Sequence, residues 1–170
     1  QDPVGRTLWG QATRILAPAM DSAVAYVAVQ MMRDAVDRGT GSAVRRYLPA
    51  EIPLAGKTGT TDDNTDGWFV GMTPNLVALG FDRPRTITPG AGGGGLAAPI
   101  FGQMLARWGG TAAATAWVQP STVVLAEMDR ETGDLAEPET PLERRYTESF
   151  VAGTEPGALR VDARRLFLTF

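Results

Sequence analysis

Three short apolar runs in the middle of the chain, separated by tight polar turns, most strongly constrain its fold. The first run is strand-like and spans residues 52–60, and the dense polar segment 61–67 follows it. The second run, 68–72, is separated from the third, 75–81, only by Thr73–Pro74. Short apolar runs bounded by turn residues are typical of strands in hairpins. The sequence therefore predicts successive antiparallel strands joined by tight turns.

Two amphipathic segments predict helices that flank this sheet. The first extends from Ser22, a residue type that caps helices, to Arg38, and Gly39 stops it. Its apolar residues recur at helical spacing and are expected to form the buried face: Val24, Val27, Ala28, Met31 and Ala35. The polar residues are expected to face away: Gln30, Arg33, Asp34 and Asp37. The Met31–Met32 pair is interpreted as core packing.

The second helix is predicted at residues 96–108, with Pro99 in its first turn. Residues 121–136 predict a hairpin that turns at Glu131–Gly133, and an acidic, proline-rich segment follows at 137–143. The first twenty residues predict a short strand or an extended arm. The expected fold class is therefore α+β, an antiparallel sheet flanked by helices.

Composition excludes several classes of function. The chain has 170 residues and a net charge of −3, and its arginine doublets are scattered, so a nucleic-acid partner is not expected. It contains neither cysteine nor histidine, which excludes thiol catalysis, a thiolate metal site and a histidine base. No apolar run approaches the length of a membrane span. The chain begins without Met, so it is expected to be a piece of a longer protein or a processed one.

A single lysine, Lys57, stands among fifteen arginines, within the stretch "LAGKTGTTDD" at 54–63. Two interpretations compete for it: a phosphate-binding loop, or a substrate-binding strand. Gly56, Lys57 and Thr58 match the end of a P-loop, but Glu51 occupies the position of its first glycine. A carboxylate there would repel a phosphate. The polar segment that follows also predicts a turn, not the start of a helix.

A second glycine pattern, G-x-G-x-x-G, occurs at Gly90, Gly92 and Gly95. A run of four glycines matches almost any glycine pattern, so the match carries little weight. The preceding "DRPRTITP" contains two prolines and is unsuited to a central parallel strand. No acidic residue at 111–118 supports a ribose site. We interpret 89–95 as a flexible loop that leads into the second helix.

A substrate-binding strand uses all four residues from Lys57 to Thr60. Lys57 offers a compact charge, and Thr58 and Thr60 offer hydroxyls on one face. Gly59 leaves bare backbone with which an extended peptide can pair. The Thr60 N–H is placed to stabilise a developing oxyanion. Such residues suit an enzyme that binds a peptide carboxylate and transfers the acyl group.

The wider sequence resembles the C-terminal part of the transpeptidase domain of class A penicillin-binding proteins. The resemblance includes a helix ending in G-T-G, then "AGKTGTT", "WFVG", "TPN" and "GFDRP". It continues through "GGGGLAAPIFGQML", "DRETGDLA" and "YTESFVAGTEP", and so covers roughly residues 15–157. It implies that 1–157 form the C-terminal portion of a transpeptidase domain with a penicillin-binding protein/serine β-lactamase-like fold. Residues 158–170 are then a C-terminal tail.

The resemblance also implies roles for single residues. Lys57 and Thr60 would act in catalysis, the lysine by ordering charge and proton transfer around a serine, and Thr60 by an oxyanion-hole N–H. Thr58 and Thr60 would bind the terminal carboxylate of a D-alanyl-D-alanine stem peptide or of a β-lactam, and Gly59 would keep the strand accessible. The implied reaction is peptidoglycan D,D-transpeptidation and needs no cofactor. The implied location is the outer face of the bacterial cytoplasmic membrane, through an N-terminal anchor upstream.

The chain departs from the family pattern in two ways. None of its four serines, at positions 22, 42, 121 and 149, begins an S-x-x-K or S-x-N motif, so it is expected to be inactive alone. The third apolar run has only Leu79 where the family has a full strand, which suggests degeneracy or a junction at 76–81. An alternative function follows: a non-catalytic homologue or fragment that serves as a structural or binding subunit of an envelope complex.

Simpler interpretations remain for the same residues. A lysine among small residues is commonly a surface charge, and threonines in strands commonly reflect strand propensity. Trp68 and Phe69 are expected in the core and not in a substrate platform. Asp62, Asp63 and Asp66 lack the spacing of a calcium loop and are expected to form a turn.

Overall fold

Three antiparallel strands form the sheet that the apolar runs and tight turns predict. A computed structural model describes residues 17–60, 67–79, 92–108 and 115–157. The strands are in the order β1-β2-β3 in the sheet, as in the sequence. Their bounds are β1, Ala55–Thr60; β2, Gly67–Thr73; and β3, Leu76–Leu79. The predicted turn at Thr73–Pro74 is confirmed, and within it the Asn75 N–H donates to Thr73 Oγ1 at 3.3 Å.

Two helices flank this sheet, so the α+β class is confirmed. They are α1, Ser22–Asp37, and α2, Ala97–Trp108. A short 3-10 helix, Ser42–Arg46, follows α1. Pro99 lies in the first turn of α2, as predicted. Neither helix of the described part combines the length and apolar character needed to cross a membrane.

The centre of the core is a pair of phenyl rings placed over a pair of glycines. Gly56 of β1 and Gly71 of β2 face each other across the strands. An added Cβ at Gly56 would lie 2.5 Å from Cζ of Phe69, and one at Gly71 would lie 2.4 Å from Cζ of Phe101. The two rings meet edge to face, with centroids 5.2 Å apart. The glycines therefore let both rings, and with them α2, approach the sheet.

The rest of the core surrounds these rings. Arg45 fixes the segment between α1 and β1. The Arg45 guanidinium donates to Asp37 Oδ1 and to the carbonyl oxygens of Pro49 and Ile52. The residues of the buried apolar cluster come from β2, from both α-helices, from the 3-10 helix and from the segment that precedes β1. They are Val36, Val44, Leu48, Leu54, Phe69, Ala97, Ala98, Phe101 and Leu105.

The predicted buried face of α1 is wrong. Ala23 and Val36 are its buried residues, whereas Val24 is 50% and Met31 64% exposed. Met31 is therefore not core packing. The apolar and small residues at the start of this helix surround its axis, so their spacing does not define one stripe.

The predicted N-cap of α1 is also displaced by one residue. The helix is capped by Asp21, whose Oδ1 accepts from the N–H groups of Ala23 and Val24 at 2.8 and 3.2 Å. Ser22 is the first residue of the helix. A carboxylate and a hydroxyl are both good caps, so residue type alone does not choose between adjacent positions.

The turn of the hairpin predicted at 121–136 is present, but the prediction of its second strand is wrong. Strand β4, Val123–Asp129, pairs along its whole length with β5, Arg145–Val151, in a separate two-stranded sheet. Leu135 makes one isolated bridge to Met128. The turn is present, and Gly133 adopts a φ of 73°.

The long connection between β4 and β5 is held by one arginine. Arg145 donates to the carbonyl oxygens of Glu137, Pro138 and Thr140 at 2.8–2.9 Å. The acidic, proline-rich segment is thereby folded into a loop that brings the chain back to β4. A strand contributed from beyond such a loop gives no short-range hairpin signal.

A partly buried ion pair closes the end of the β4–β5 sheet. Arg144 binds the Asp129 carboxylate through Nε, at 3.0 Å from Oδ1, and through Nη2, and the Glu131 N–H donates to Asp129 Oδ1 at 2.9 Å. The bond from Arg144 is the largest cause that lowers the pKa of Asp129 below its ordinary value of 3.8, and the bond from Glu131 adds to it. Charged Asp129 therefore stabilises the folded state.

We expect Gly71→Ala to lower the free energy of unfolding by about 1–3 kcal/mol, because the new methyl must displace the buried Phe101 ring. Gly59→Ala is the control: its Cβ would meet only Trp68 Cβ, at 3.4 Å, and we expect a change within about 0.5 kcal/mol. Urea unfolding of both variants provides the comparison. Equal losses in the two would contradict this account of the core.

We expect Asp129→Asn to lower Tm at neutral pH and to lose this effect in acid. Because the folded-state pKa is lowered, the charge contributes its stability above the ordinary pKa, and the contribution disappears as pH falls through the folded-state value. Tm measured against pH for the variant, the wild type and Glu139→Gln, a change at an exposed carboxylate, tests this. A Tm difference that persists unchanged in acid would refute the linkage.

Candidate functional site

The four candidate residues lie on β1, at one edge of the three-stranded sheet. β1 pairs with β2 along one side, from Ala55–Met72 to Thr60–Gly67. No strand of the described ranges pairs with its other side. An extended peptide could therefore add to this side by main-chain hydrogen bonds.

The two faces of β1 carry different chemistry. Thr58 pairs with fully buried Phe69, so its side chain belongs to the face that packs on the core. Lys57, the preceding residue, lies on the opposite face with Gly59 and its partner Trp68. Lys57 and Gly59 are exposed, and Trp68 is 38% exposed. A ligand at the free edge would thus have the lysine on one side and the Thr58 hydroxyl on the other.

Lys57 is held along the strand and does not extend away from it. Its Nζ donates to the carbonyl oxygen of Thr58 at 2.7 Å. The ammonium therefore lies beside the backbone with which an added peptide would pair. Thr60 ends β1 and pairs through its backbone with Gly67, and its side chain lies outside the described part.

Thr58 has a partner that the sequence analysis missed. Its Oγ1 lies 2.7 Å from Oγ1 of Thr40, in the turn that follows α1. The Gly41 N–H donates to the Ala35 carbonyl oxygen at 2.9 Å, so the turn is fastened to the last part of the helix. The G-T-G sequence predicts a tight turn after the helix, but it gives no sign of a contact with Thr58, which lies eighteen residues further along the chain.

The glycine run supports both strands of the site. An added Cβ at Gly93 would lie 2.1 Å from the Trp68 carbonyl oxygen and 2.6 Å from that of Gly59. One at Gly94 would lie 2.0 Å from the Thr40 carbonyl oxygen. Side chains at these two positions would collide with backbone, so only glycine allows the approach.

The described part of this run, residues 92–95, forms a hydrogen-bonded turn. The Gly95 N–H donates to the Gly92 carbonyl oxygen, and the Ala97 N–H to that of Gly93, both at 3.0 Å. The turn leads directly into α2, as predicted. Gly90, the first glycine of the G-x-G-x-x-G pattern, lies outside the described residues.

The sequence analysis also made predictions for two aromatic residues and for three aspartates. Phe69 is fully buried, as expected, but Trp68 is not a core residue. Asp62, Asp63 and Asp66 lie outside the described residues. Among the residues that are described, no group of three or more acidic, cysteine or histidine side chains could hold a metal ion.

The four serines all belong to parts of the chain other than β1, β2 and β3. Ser22 begins α1, Ser42 begins the 3-10 helix, Ser121 precedes β4 and Ser149 lies within β5. Of these, Ser149 is buried, at 8% exposure. None belongs to the strand that carries the lysine.

Two family models match the chain. The model "Penicillin binding protein transpeptidase domain" matches residues 15–106, more than half of the 170 residues, and this range includes α1, the three-stranded sheet and most of α2. The model "Penicillin-binding protein 1A, C-terminal domain" matches residues 119–159, which contain β4 and β5.

Curated relatives are similar over part of their length. Penicillin-binding protein 1A of Pseudomonas aeruginosa is 36% identical over 126 residues, which are 72% of this chain and 15% of that protein. Penicillin-binding protein 1A of Neisseria flavescens is 42% identical over 86 residues, 49% of this chain and 10% of that one. The chain therefore spans at most about a sixth of these relatives.

A solved structure has the same fold. The crystal structure of penicillin-binding protein 1A from Haemophilus influenzae superimposes with a TM-score of 0.67 at 24% identity. The match covers 81% of this chain and 21% of that one. At this identity the likeness establishes the fold alone.

We expect Gly93→Ala to loosen the β1–β2 pairing, because its methyl group must displace two backbone carbonyls. A local cost of about 1–3 kcal/mol would speed amide exchange in β1 and β2 by roughly five- to a hundred-and-fiftyfold. Hydrogen exchange of the Gly59 and Trp68 amides measures this. Gly95→Ala is the control, since its Cβ would meet only the Gly92 oxygen, at 3.8 Å. Equal exchange in both variants would refute the supporting role of the glycine turn.

Proposed function

Since this chain belongs to the penicillin-binding protein transpeptidase family, we propose that it forms the C-terminal part of a peptidoglycan D,D-transpeptidase. In this proposal, β1 is one wall of the active-site cleft, and the nucleophilic serine lies on a part of the enzyme outside this chain. One observation carries the proposal: the matched range contains an edge strand with an exposed lysine and an accessible backbone.

The proposed reaction is acyl transfer through a covalent intermediate. The serine oxygen attacks the carbonyl carbon between the two terminal D-alanines, the C–N bond breaks, and the last D-alanine leaves as the amine. An amine of a neighbouring stem peptide then attacks the resulting ester, and the serine regains its proton. A β-lactam would acylate the same serine.

In this proposal, each of the four candidate residues of β1 has its own role in the reaction. Lys57 places its charge near the serine and assists proton transfer. Thr58 and Thr60 bind the terminal carboxylate, Gly59 keeps the edge open, and the Thr60 N–H stabilises the oxyanion. The edge position of β1 supports these roles, because a peptide at its free side lies between Lys57 and the Thr58 hydroxyl.

The face of the sheet that carries Lys57 is proposed to pack against the serine-bearing part. Trp68 lies on this face. Val77 lies there too, because it pairs with Met72, which is four residues from Trp68 along β2 and therefore points to the same side. Trp68 is 38% exposed and Val77 is 64% exposed. The core rings lie on the other face. The exposed side is therefore where a second wall of the cleft would complete the site.

The surrounding proposals follow from the same assignment. Residues 1–157 would belong to the transpeptidase portion and 158–170 to a tail. The substrates would be stem peptides, with β-lactams as inhibitors, and no cofactor would be required. The enzyme would lie at the outer face of the cytoplasmic membrane, held by an upstream anchor.

A second candidate function is a non-catalytic subunit of an envelope complex. Two features favour it: β3 has only four residues, Leu76–Leu79, and none of the four serines lies on the sheet that carries Lys57. A shortened strand makes a weaker sheet member. In this case β1 would bind a partner protein and would not take part in a reaction.

A fluorescent penicillin separates the two functions. The sample is purified from cells that express the natural gene, incubated with the label and run on a denaturing gel. The transpeptidase predicts a labelled band heavier than a 170-residue chain. The subunit predicts an unlabelled band of the length of this chain.

We expect Lys57→Ala to reduce the labelling rate by about a hundredfold or more, the usual contribution of a group that assists proton transfer. Arg107→Ala removes an exposed cation from α2 and is the control, for which we expect no change. The rate of band labelling, measured over time, provides the comparison. Normal labelling of Lys57→Ala would refute the role proposed for the lysine.

A further inference from the structure

The contact between two hydroxyls, Thr40 Oγ1 and Thr58 Oγ1, has a consequence for ligand binding. We propose that Thr40 is a positioning residue, which directs the Thr58 hydroxyl proton toward the carboxylate of a bound ligand. The inference rests on the proposed function, because Thr58 is the carboxylate ligand only there. Thr40 itself touches neither the reacting atoms nor the carboxylate.

Proton counting gives the direction of this hydrogen bond in the bound state. A hydroxyl has one proton to donate and two lone pairs that accept. At 2.7 Å, either threonine can be the donor while the site is empty. A carboxylate only accepts, so Thr58 must use its single proton for the ligand, and Thr40 must then donate to Thr58. The two bonds in series strengthen each other.

Thr40 is held firmly enough to serve this purpose. Its turn is fastened to α1 by the Gly41 N–H, which donates to the Ala35 oxygen at 2.9 Å. On the other side, Gly94 approaches so closely that an added Cβ would lie 2.0 Å from the Thr40 carbonyl oxygen. Two elements thus fix the backbone from which the hydroxyl projects.

The hydroxyl pair is also accessible, which favours a role in binding over one in stability. Thr40 is exposed and Thr58 is half-buried, so a ligand can reach the pair. Hydroxyls at an accessible position can exchange their bond for water at little cost in stability. Loss of the Thr40 hydroxyl should therefore leave the fold intact and alter the orientation of Thr58.

The test compares ligands with and without the carboxylate. Benzylpenicillin and its methyl ester compete with a fluorescent penicillin for the intact polypeptide that carries this sequence. In Thr40→Val we expect acylation by the acid to slow about three- to tenfold, the effect of one lost hydrogen bond. Acylation by the ester should slow less, because its neutral carbonyl oxygen accepts a weaker hydrogen bond than the carboxylate does. Thr40→Ser keeps the hydroxyl and should retain the wild-type preference for the acid.

Two further variants separate positioning from folding. Thr40→Ala removes the hydroxyl without adding bulk, and it should behave as Thr40→Val does. Gly94→Ala should also reduce the preference for the acid, because its methyl displaces the Thr40 backbone, whereas Gly95→Ala should not. A defect in folding would slow the acid and the ester alike.

The outcomes distinguish this inference from the function on which it rests. A wild-type polypeptide that the penicillin does not label overturns the proposed function and this inference with it. A labelled wild type whose Thr40→Val and Thr40→Ala variants keep the full preference for the acid overturns the role of Thr40 alone. Equal slowing of acid and ester assigns Thr40 to the fold and also overturns it.

Discussion

Two phenyl rings rest on two glycines that face each other across β1 and β2, and the arrangement of the other elements depends on this contact. Gly56 and Gly71 leave room for Phe69 and Phe101, whose edge-to-face contact joins the sheet to α2. Such a pair contributes about 0.5–1.5 kcal/mol beyond the burial of its area. Because the core occupies this face of the sheet, Lys57 is left exposed on the other.

The site is built from backbone as much as from side chains. The glycine turn contacts the carbonyls of Gly59, Trp68 and Thr40, and Lys57 itself binds a carbonyl of its own strand. Such contacts fix the path of β1 while leaving its outer edge open. The glycine turn therefore supports β1 at Gly59, whereas the outer edge of the strand stays open to an added peptide.

Patterns among neighbouring residues predicted most of the helices and strands. The features that were missed depend on contacts between residues far apart in the sequence. The three strands, the turn at Thr73–Pro74 and α2 follow from short apolar runs, turn residues and helical spacing. The buried face of α1 was missed because small apolar residues surround its first turns, and β5 because its partner lies beyond a loop held by Arg145. Lys57 stood out by its rarity. Thr40 did not, since its contact with Thr58 spans eighteen residues of sequence.

The glycine turn has a consequence for how such a site can diversify. At Gly93 the close approach is to the main chain of residues 59 and 68, so the nearest atoms are ones that every amino acid possesses. Substitutions at the exposed Trp68 leave that carbonyl in place. Side chains on the surface beside Lys57 can therefore be replaced without removing the main-chain atoms that the glycine turn contacts.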